Sequence, residues 1–256
     1  MKESSLIGKK ILMTGGSSGI GWDIAQTLVR SGAEVTIISR RNPLSWERGP
    51  IEGWNPKDQL IKADLKKTSS LTKKLEKWLK QNSGQIDVVI QSAITYGTGS
   101  RHPLLSTSLK EWEDIFTTNT RGQFTVIKTL LPALLKRQSA LIIGIESDVV
   151  FKPGPGRIAY AASKSASHSL HVGLAEELIN TNVRVLELYP ERGVATPGIA
   201  KRRPKGFVFS SVGYDGPNLF SDPLISIIKT MGVDLNGTSL VRRKDKLIPI
   251  DVRKLK

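Results

Sequence analysis

The 256-residue chain contains no cysteine, which excludes disulfides, thiol nucleophiles and thiolate-held zinc. Its three histidines offer no metal-ligand spacing, so no metal site is expected. No stretch approaches the roughly eighteen consecutive apolar residues of a membrane helix. The opening Met1-Lys2-Glu3-Ser4-Ser5 runs straight into a strand-like stretch and not into a signal sequence, so a cytoplasmic protein is expected. Acidic residues are scarce as well: 38 Lys and Arg face 23 Asp and Glu, a formal net charge of +15. A field of that size attracts phosphates, nucleic acid or anionic membrane without identifying any of them. Residues 201–256 hold twelve Lys or Arg against five Asp, so the excess is not gathered at the N-terminal end, and such runs are as a rule solvated surface. The aromatic-interleaved basic strands or recognition helix of a nucleic-acid module are missing, and no specific nucleic-acid partner is expected.

What is present is regular alternation. Apolar runs rich in β-branched residues recur at 10–13, 35–39, 60–63, 86–90, 140–145 and 183–188, with helical patterns between most of them. Strands that are apolar on both faces and alternate with helices predict an α/β fold, a doubly wound parallel sheet of Rossmann type, in a single domain over residues 1–256. The Gly/Pro-rich stretch 193–223 reads as a substrate lid. The crossover after the second strand carries Pro43, Pro50 and Pro56, so residues 42–57 should hold no helix longer than about two turns, with Trp46 and Trp54 as packing residues.

After the first strand comes Thr14-Gly15-Gly16-Ser17-Ser18-Gly19-Ile20-Gly21, then an amphipathic helix. Glycines in a strand-to-helix turn let the backbone approach a pyrophosphate, and the free amides and dipole of the helix N-terminus favour its charge. The second strand ends in Ser39-Arg40-Arg41 with no carboxylate to take a ribose 2′-hydroxyl. A guanidinium there suits a 2′-phosphate, which predicts NADP(H), with Arg40 as the principal contact and Arg41 as the second.

Tyr160 and Lys164 are spaced i, i+4 on a helix predicted over 159–180, so phenol and ammonium can meet on one face. A free phenol has a pKa of about 10, and a fixed cation beside it lowers that value toward use as a general acid. Ser147 stands thirteen residues earlier, just past the fifth strand, where strand ends open into a ligand crevice.

Taken in order, Thr14 to Gly21, Ala63-Asp64-Leu65, Asn119, Ser147 and Tyr160 with Lys164 resemble the compact, NADP(H)-preferring branch of the short-chain dehydrogenase/reductase family, over roughly residues 8–196. The resemblance implies that Tyr160 protonates a carbonyl oxygen, that Lys164 lowers its pKa and binds the nicotinamide ribose, that Ser147 orients the carbonyl, and that Asn119 holds a water in a relay to Lys164. It further implies cofactor contacts from Gly15, Ser17, Ser18, Gly19, Ile20, Gly21, Asp64, Leu65, Ala93, Pro190, Val194 and Thr196, with Asp64 on the adenine amine and Thr196 on the carboxamide. A homodimer or homotetramer is the expected assembly.

Two departures bear on this. Gln91-Ser92-Ala93-Ile94 stands where the family shows Asn-Asn-Ala-Gly, placing a β-branched residue where a positive φ would be strained. Glu191 replaces a usual glycine, so that Thr196 falls one residue late, and the chain finishes in basic segments at 242–244 and 253–256. The expected activity is reduction of a ketone or aldehyde by NADPH. The basic Lys201-Arg202-Arg203-Pro204-Lys205 beside Phe207 and Phe209 would suit an anionic or amphipathic substrate. The departures keep open an alternative, a cofactor-binding regulatory or scaffold protein with little turnover.

Overall fold

The computed structural model describes residues 5–98, 101–203, 206–209, 213–244 and 246–251. Its elements run β1 (Lys10–Thr14), α1 (Gly19–Arg30), β2 (Glu34–Ser39), α2 (Pro56–Gln59), β3 (Leu60–Lys62), α3 (Thr68–Gln81), β4 (Val88–Gln91), α4 (Leu109–Phe116), α5 (Gly122–Leu134), β5 (Ala140–Ile145), α6 (Ile158–Glu177), β6 (Val183–Pro190), β7 (Gly193–Val194), α7 (Pro197–Ala200), β8 (Tyr214–Asp215), α8 (Ser221–Lys229), β9 (Ser239–Arg243) and β10 (Lys246–Ile250). A π-helical turn, Thr117–Arg121, joins α4 to α5.

Eight strands form one sheet in the order β10-β9-β6-β5-β4-β1-β2-β3, parallel except for the β9–β10 pair. Side chains alternate along each strand, so successive apolar residues enter different cores. Ile11 and Met13 of β1 join α1, α8, Trp46 and Trp54 on one face. Leu12, between them, joins α3, α5 and Leu174 of α6 on the other. Helices thus cover both faces, which is why these strands read as unbroken apolar runs. The strand order reverses between β1 and β4, where the carboxyl ends of a doubly wound sheet part to form a crevice.

The irregular crossover is as predicted: between β2 and β3 there is one turn of 3-10 helix, Pro43–Ser45, and the four-residue α2. Trp46 and Trp54 are buried, their ring centroids 5.4 Å apart, and Trp54 Nε1 donates to Val35 O of β2 at 2.7 Å. The two added strands, β9 beside β6 and β10 at the sheet edge, lie in a segment with no clean apolar period. Arg242 and Arg243 sit in β9 and Pro249 in β10, and proline, lacking an N–H, is tolerated in a strand that borders only one neighbour. Residues 204, 205 and 210–212 of the expected lid and the basic 253–256 lie outside the described residues.

Candidate active site

The carboxyl ends of β1, β2, β4, β5 and β6 open into a cavity of about 600 Å³. Every residue expected at the site lines it except Asn119. The glycine turn is as tight as its sequence implies. Gly15 has φ +78°, and a Cβ there would lie 2.5 Å from Ala93 N; one at Gly21 would lie 2.2 Å from Gly15 O. Ser18, the N-cap of α1, makes no side-chain cap, and the first turn holds no acidic residue, so its amides remain for an anion. Arg41 Nη2 donates to Ser17 Oγ at 3.4 Å, which sets this guanidinium against the turn, while Arg40 is exposed on the same rim. Asp64 lines the cavity while its Oδ1 takes Lys66 N at 3.0 Å, so it also closes a turn.

The reacting groups come from two strand ends and a helix. Ser147 follows β5, and its Oγ accepts from Val149 N at 3.3 Å and donates to Asp148 Oδ1 at 3.2 Å. Tyr160 lies in the first turn of α6, and the hydroxyl groups that act on its own are those of Ser147 and of Tyr96, which follows β4. The Tyr96 and Tyr160 rings are 4.6 Å apart. Burial pushes both phenols up, Tyr160 well above its ordinary value, and the neighbouring Tyr96 and Glu146 push Tyr160 further.

Here the structure adds a partner that the sequence reading did not include. Lys164 does not stand free to depress the phenol. Its Nζ lies 2.6 Å from Glu146 Oε2, with both side chains buried, and donates to Ile145 O at 2.9 Å. Glu146 is one end of a buried ionic cluster. His171 Nδ1 lies 3.3 Å from Glu146 Oε1 and 3.4 Å from Glu187 Oε1, and Glu187 Oε2 lies 2.8 Å from His168 Nδ1. Tyr189 and Ser239 donate to the same Glu187 oxygen at 3.1 and 2.8 Å. Burial alone would lower His171, but the two carboxylates raise it to about 9; burial alone would raise Glu187, but the two histidines bring it to about 2. Glu146, His171 and Glu187 bring three potential metal ligands together, which no spacing along the chain could show. With Lys164 and His171 as cations the cluster balances its two carboxylates. A signal for it did exist: Glu146 and Glu187 are carboxylates at or inside otherwise apolar strands, and a buried carboxylate needs a buried cation.

Asn119 also departs from expectation. It is fully buried in the π turn behind the cavity wall; its Oδ1 accepts from Thr95 N at 2.7 Å, and its Nδ2 donates to Thr95 O at 2.9 Å and Ser163 Oγ at 3.0 Å. The amide therefore clamps the strand-end segment that carries Tyr96, and none of these bonds goes to Lys164. The departure at Ile94 costs nothing, because its φ is not positive; the left-handed position falls at Gly97, φ +80°. Ile94 instead packs with Val149 and Tyr160. Glu191 turns outward and pairs with Arg243 at 2.7 Å, while Pro190, Val194 and Thr196 still reach the cavity. Tyr96 and Arg202 also line the cavity; Tyr96 went unnoticed because it sits in a stretch matching no motif, and Arg202 had entered only as one member of a basic run.

The short chain dehydrogenase family profile matches residues 9–205. A rhamnolipids biosynthesis 3-oxoacyl-[acyl-carrier-protein] reductase of Pseudomonas aeruginosa is 33% identical over 193 residues, 73% of this chain and 74% of the relative. Among solved structures, the Brucella melitensis 3-ketoacyl-(acyl-carrier-protein) reductase complexed with NADH superposes with a TM-score of 0.78 at 23% identity, covering 92% of this chain and 96% of the other. A short chain dehydrogenase from Shigella flexneri complexed with NADP gives 0.77 at 25% identity, covering 94% and 99%.

Proposed function

This chain belongs to the short chain dehydrogenase family of oxidoreductases, and on that premise we propose that it is an NADP(H)-dependent reductase of ketones or aldehydes in which Tyr160 is the proton donor. The observation that carries the reading is the convergence of Tyr160 and Ser147 with the glycine turn and Arg40–Arg41 on one cavity. The cradle fits a dinucleotide: the space a Cβ would fill at Gly15 and Gly21 is closed, the α1 amides are uncapped, and two guanidinium groups stand where a 2′-phosphate would lie. When bound, NADPH supplies the hydride.

Ser17 to Gly21 and Arg40–Arg41 would hold the cofactor's phosphates, and Val194 and Thr196 would face its nicotinamide. Ser147 Oγ donates to the carbonyl oxygen and fixes its position, and the Tyr160 proton passes to that oxygen as negative charge develops on it. A phenol raised by burial gives up its proton reluctantly, so proton transfer needs a cation nearby. Lys164 is that cation, and it must first leave Glu146. We assign the whole chain to one domain, with residues 193–223 as the lid.

A second reading, cofactor binding with little turnover, is favoured by one observation, the Lys164–Glu146 pair that withholds the ammonium. A panel of ketones and aldehydes assayed by NADPH consumption, alongside direct NADPH titration, separates the two. Turnover of any member supports the reductase; micromolar NADPH binding with no turnover across the panel supports the second reading.

A further inference from the structure

Arg202 follows α7 and enters the cavity with its Cζ 3.4 Å above the centre of the Tyr96 ring, and that ring lies 4.6 Å from the ring of Tyr160. Three cations near it have partners: Lys201 Nζ meets Glu47 Oε1 at 2.7 Å, Arg192 Nη2 meets Asp215 Oδ1 at 2.6 Å, and Arg203 bonds the Tyr214 hydroxyl. Arg202 spends only its Nε, on Gly198 O at 3.3 Å, and among the described residues no carboxylate pairs with it. The charges that act on it are the like charges of Arg101 and Arg203, together with the phenols of Tyr96 and Tyr160. Half-buried beside like charge, a guanidinium loses hydration without compensation, and burial accordingly lowers its pKa.

Stacking on an aromatic face holds a guanidinium flat and leaves its edge N–H groups directed outward, the arrangement for bidentate contact with a carboxylate or phosphate. The cofactor's phosphates are provided for elsewhere. The glycine turn follows β1 and Arg41 follows β2, whereas Tyr96 follows β4 on the other side of β1. Tyr96 thus links two functions: one side of its ring packs on that of Tyr160, and its face supports Arg202.

We propose that Arg202 is the substrate's anion anchor, so that the preferred substrate is a carbonyl compound bearing a carboxylate or phosphate a few bonds from the carbonyl carbon. This rests on the reductase reading and narrows it. An anion on Arg202 places the carbonyl oxygen against the Ser147 and Tyr160 hydroxyls, with Tyr96 as the spacer that sets how far apart the two substrate groups can be.

The test compares acetoacetate with its ethyl ester, and dihydroxyacetone phosphate with dihydroxyacetone, in wild type, Arg202→Ala and Arg202→Lys, with NADPH affinity measured separately. A charged hydrogen bond contributes a factor of about 10 to 150, so Arg202→Ala should lower kcat/KM for the charged member of the preferred pair by that factor. The neutral member should lose several-fold less than the charged one, and NADPH affinity should change by less than either. Lysine should rescue the phosphate better than the carboxylate, since it offers a point charge and no fork. Equal losses on charged and neutral members would overturn the proposal and leave Arg202 a structural part of the lid. If no compound is reduced, the reductase reading fails first. The anchor is then tested by calorimetric titration of acetoacetate and of inorganic phosphate into NADPH-loaded protein, where equal affinity for wild type and Arg202→Ala would overturn it.

Discussion

A single hydroxyl separates tyrosine from phenylalanine, so Tyr160→Phe removes the proposed proton donor while leaving volume and ring stacking nearly intact. General acid catalysis supplies about 10²- to 10⁴-fold, and carbonyl reduction should fall by at least that range with NADPH affinity unchanged; a variant that kept most of its steady-state rate would rule out the assignment. The same scale decides cofactor choice. Ser39 Oγ lies 3.2 Å from Arg41 N, so the second strand ends in a compact turn that presents both arginines. Since a charged hydrogen bond contributes roughly 1.5–3 kcal/mol, NADPH should bind about 10- to 150-fold more tightly than NADH. Ser39→Asp with Arg40→Ser should reverse the order by repelling a 2′-phosphate and accepting from a 2′-hydroxyl. Dissociation constants at two salt concentrations check this, and equal wild-type affinities would show both arginines facing solvent.

Proline spacing and tryptophan pinning decide the crossover between β2 and β3. Hydrogen exchange should find scattered protection across residues 42–57, confined to the turn at Pro43–Ser45 and to α2, whereas continuous protection would contradict the structure. How much could be read in advance follows from the same physics. Strands β1 to β6 were readable because helices cover both faces, so burial wrote itself into the residue types. Strands β9 and β10 were not: β9 ends in Arg242 and Arg243, and β10, with one open side, admits charge and proline. The glycine turn was legible because its chemistry is local: neighbouring residues make it. The Glu146–His171–Glu187 cluster was not, because β5, α6 and β6 each contribute one member and only the packing of α6 against those strands brings them together. Lys164 shows the cost of reading one element alone. Helical spacing correctly put it one turn from Tyr160, yet its ammonium pairs with a carboxylate from the neighbouring strand.

Across the whole molecule, the ionic cluster gives stability a pH window. His171 titrates at about 9 in the fold against an ordinary 6.5, so its contribution is complete below 6.5 and drains away as pH rises through 9. Glu187 titrates at about 2 against 4.5, so its share is complete above 4.5 and lost as pH falls through 2. Between 4.5 and 6.5 both contribute fully. The difference in thermal midpoint between wild type and His171→Gln should therefore be largest below 6.5 and shrink toward 9; a constant difference would mean that His171 is not protonated in the fold. A feature at the opposite extreme of exposure is the Lys201–Glu47 pair, which joins segments 154 residues apart at the edge of the cavity. Lys201 is 70% exposed, and such pairs contribute only about 0–1 kcal/mol. A tie that weak breaks and re-forms on its own, as a turnstile does under light pressure, and dissolved salt competes for both of its ends. This edge of the cavity should therefore loosen as the ionic strength of the surroundings rises.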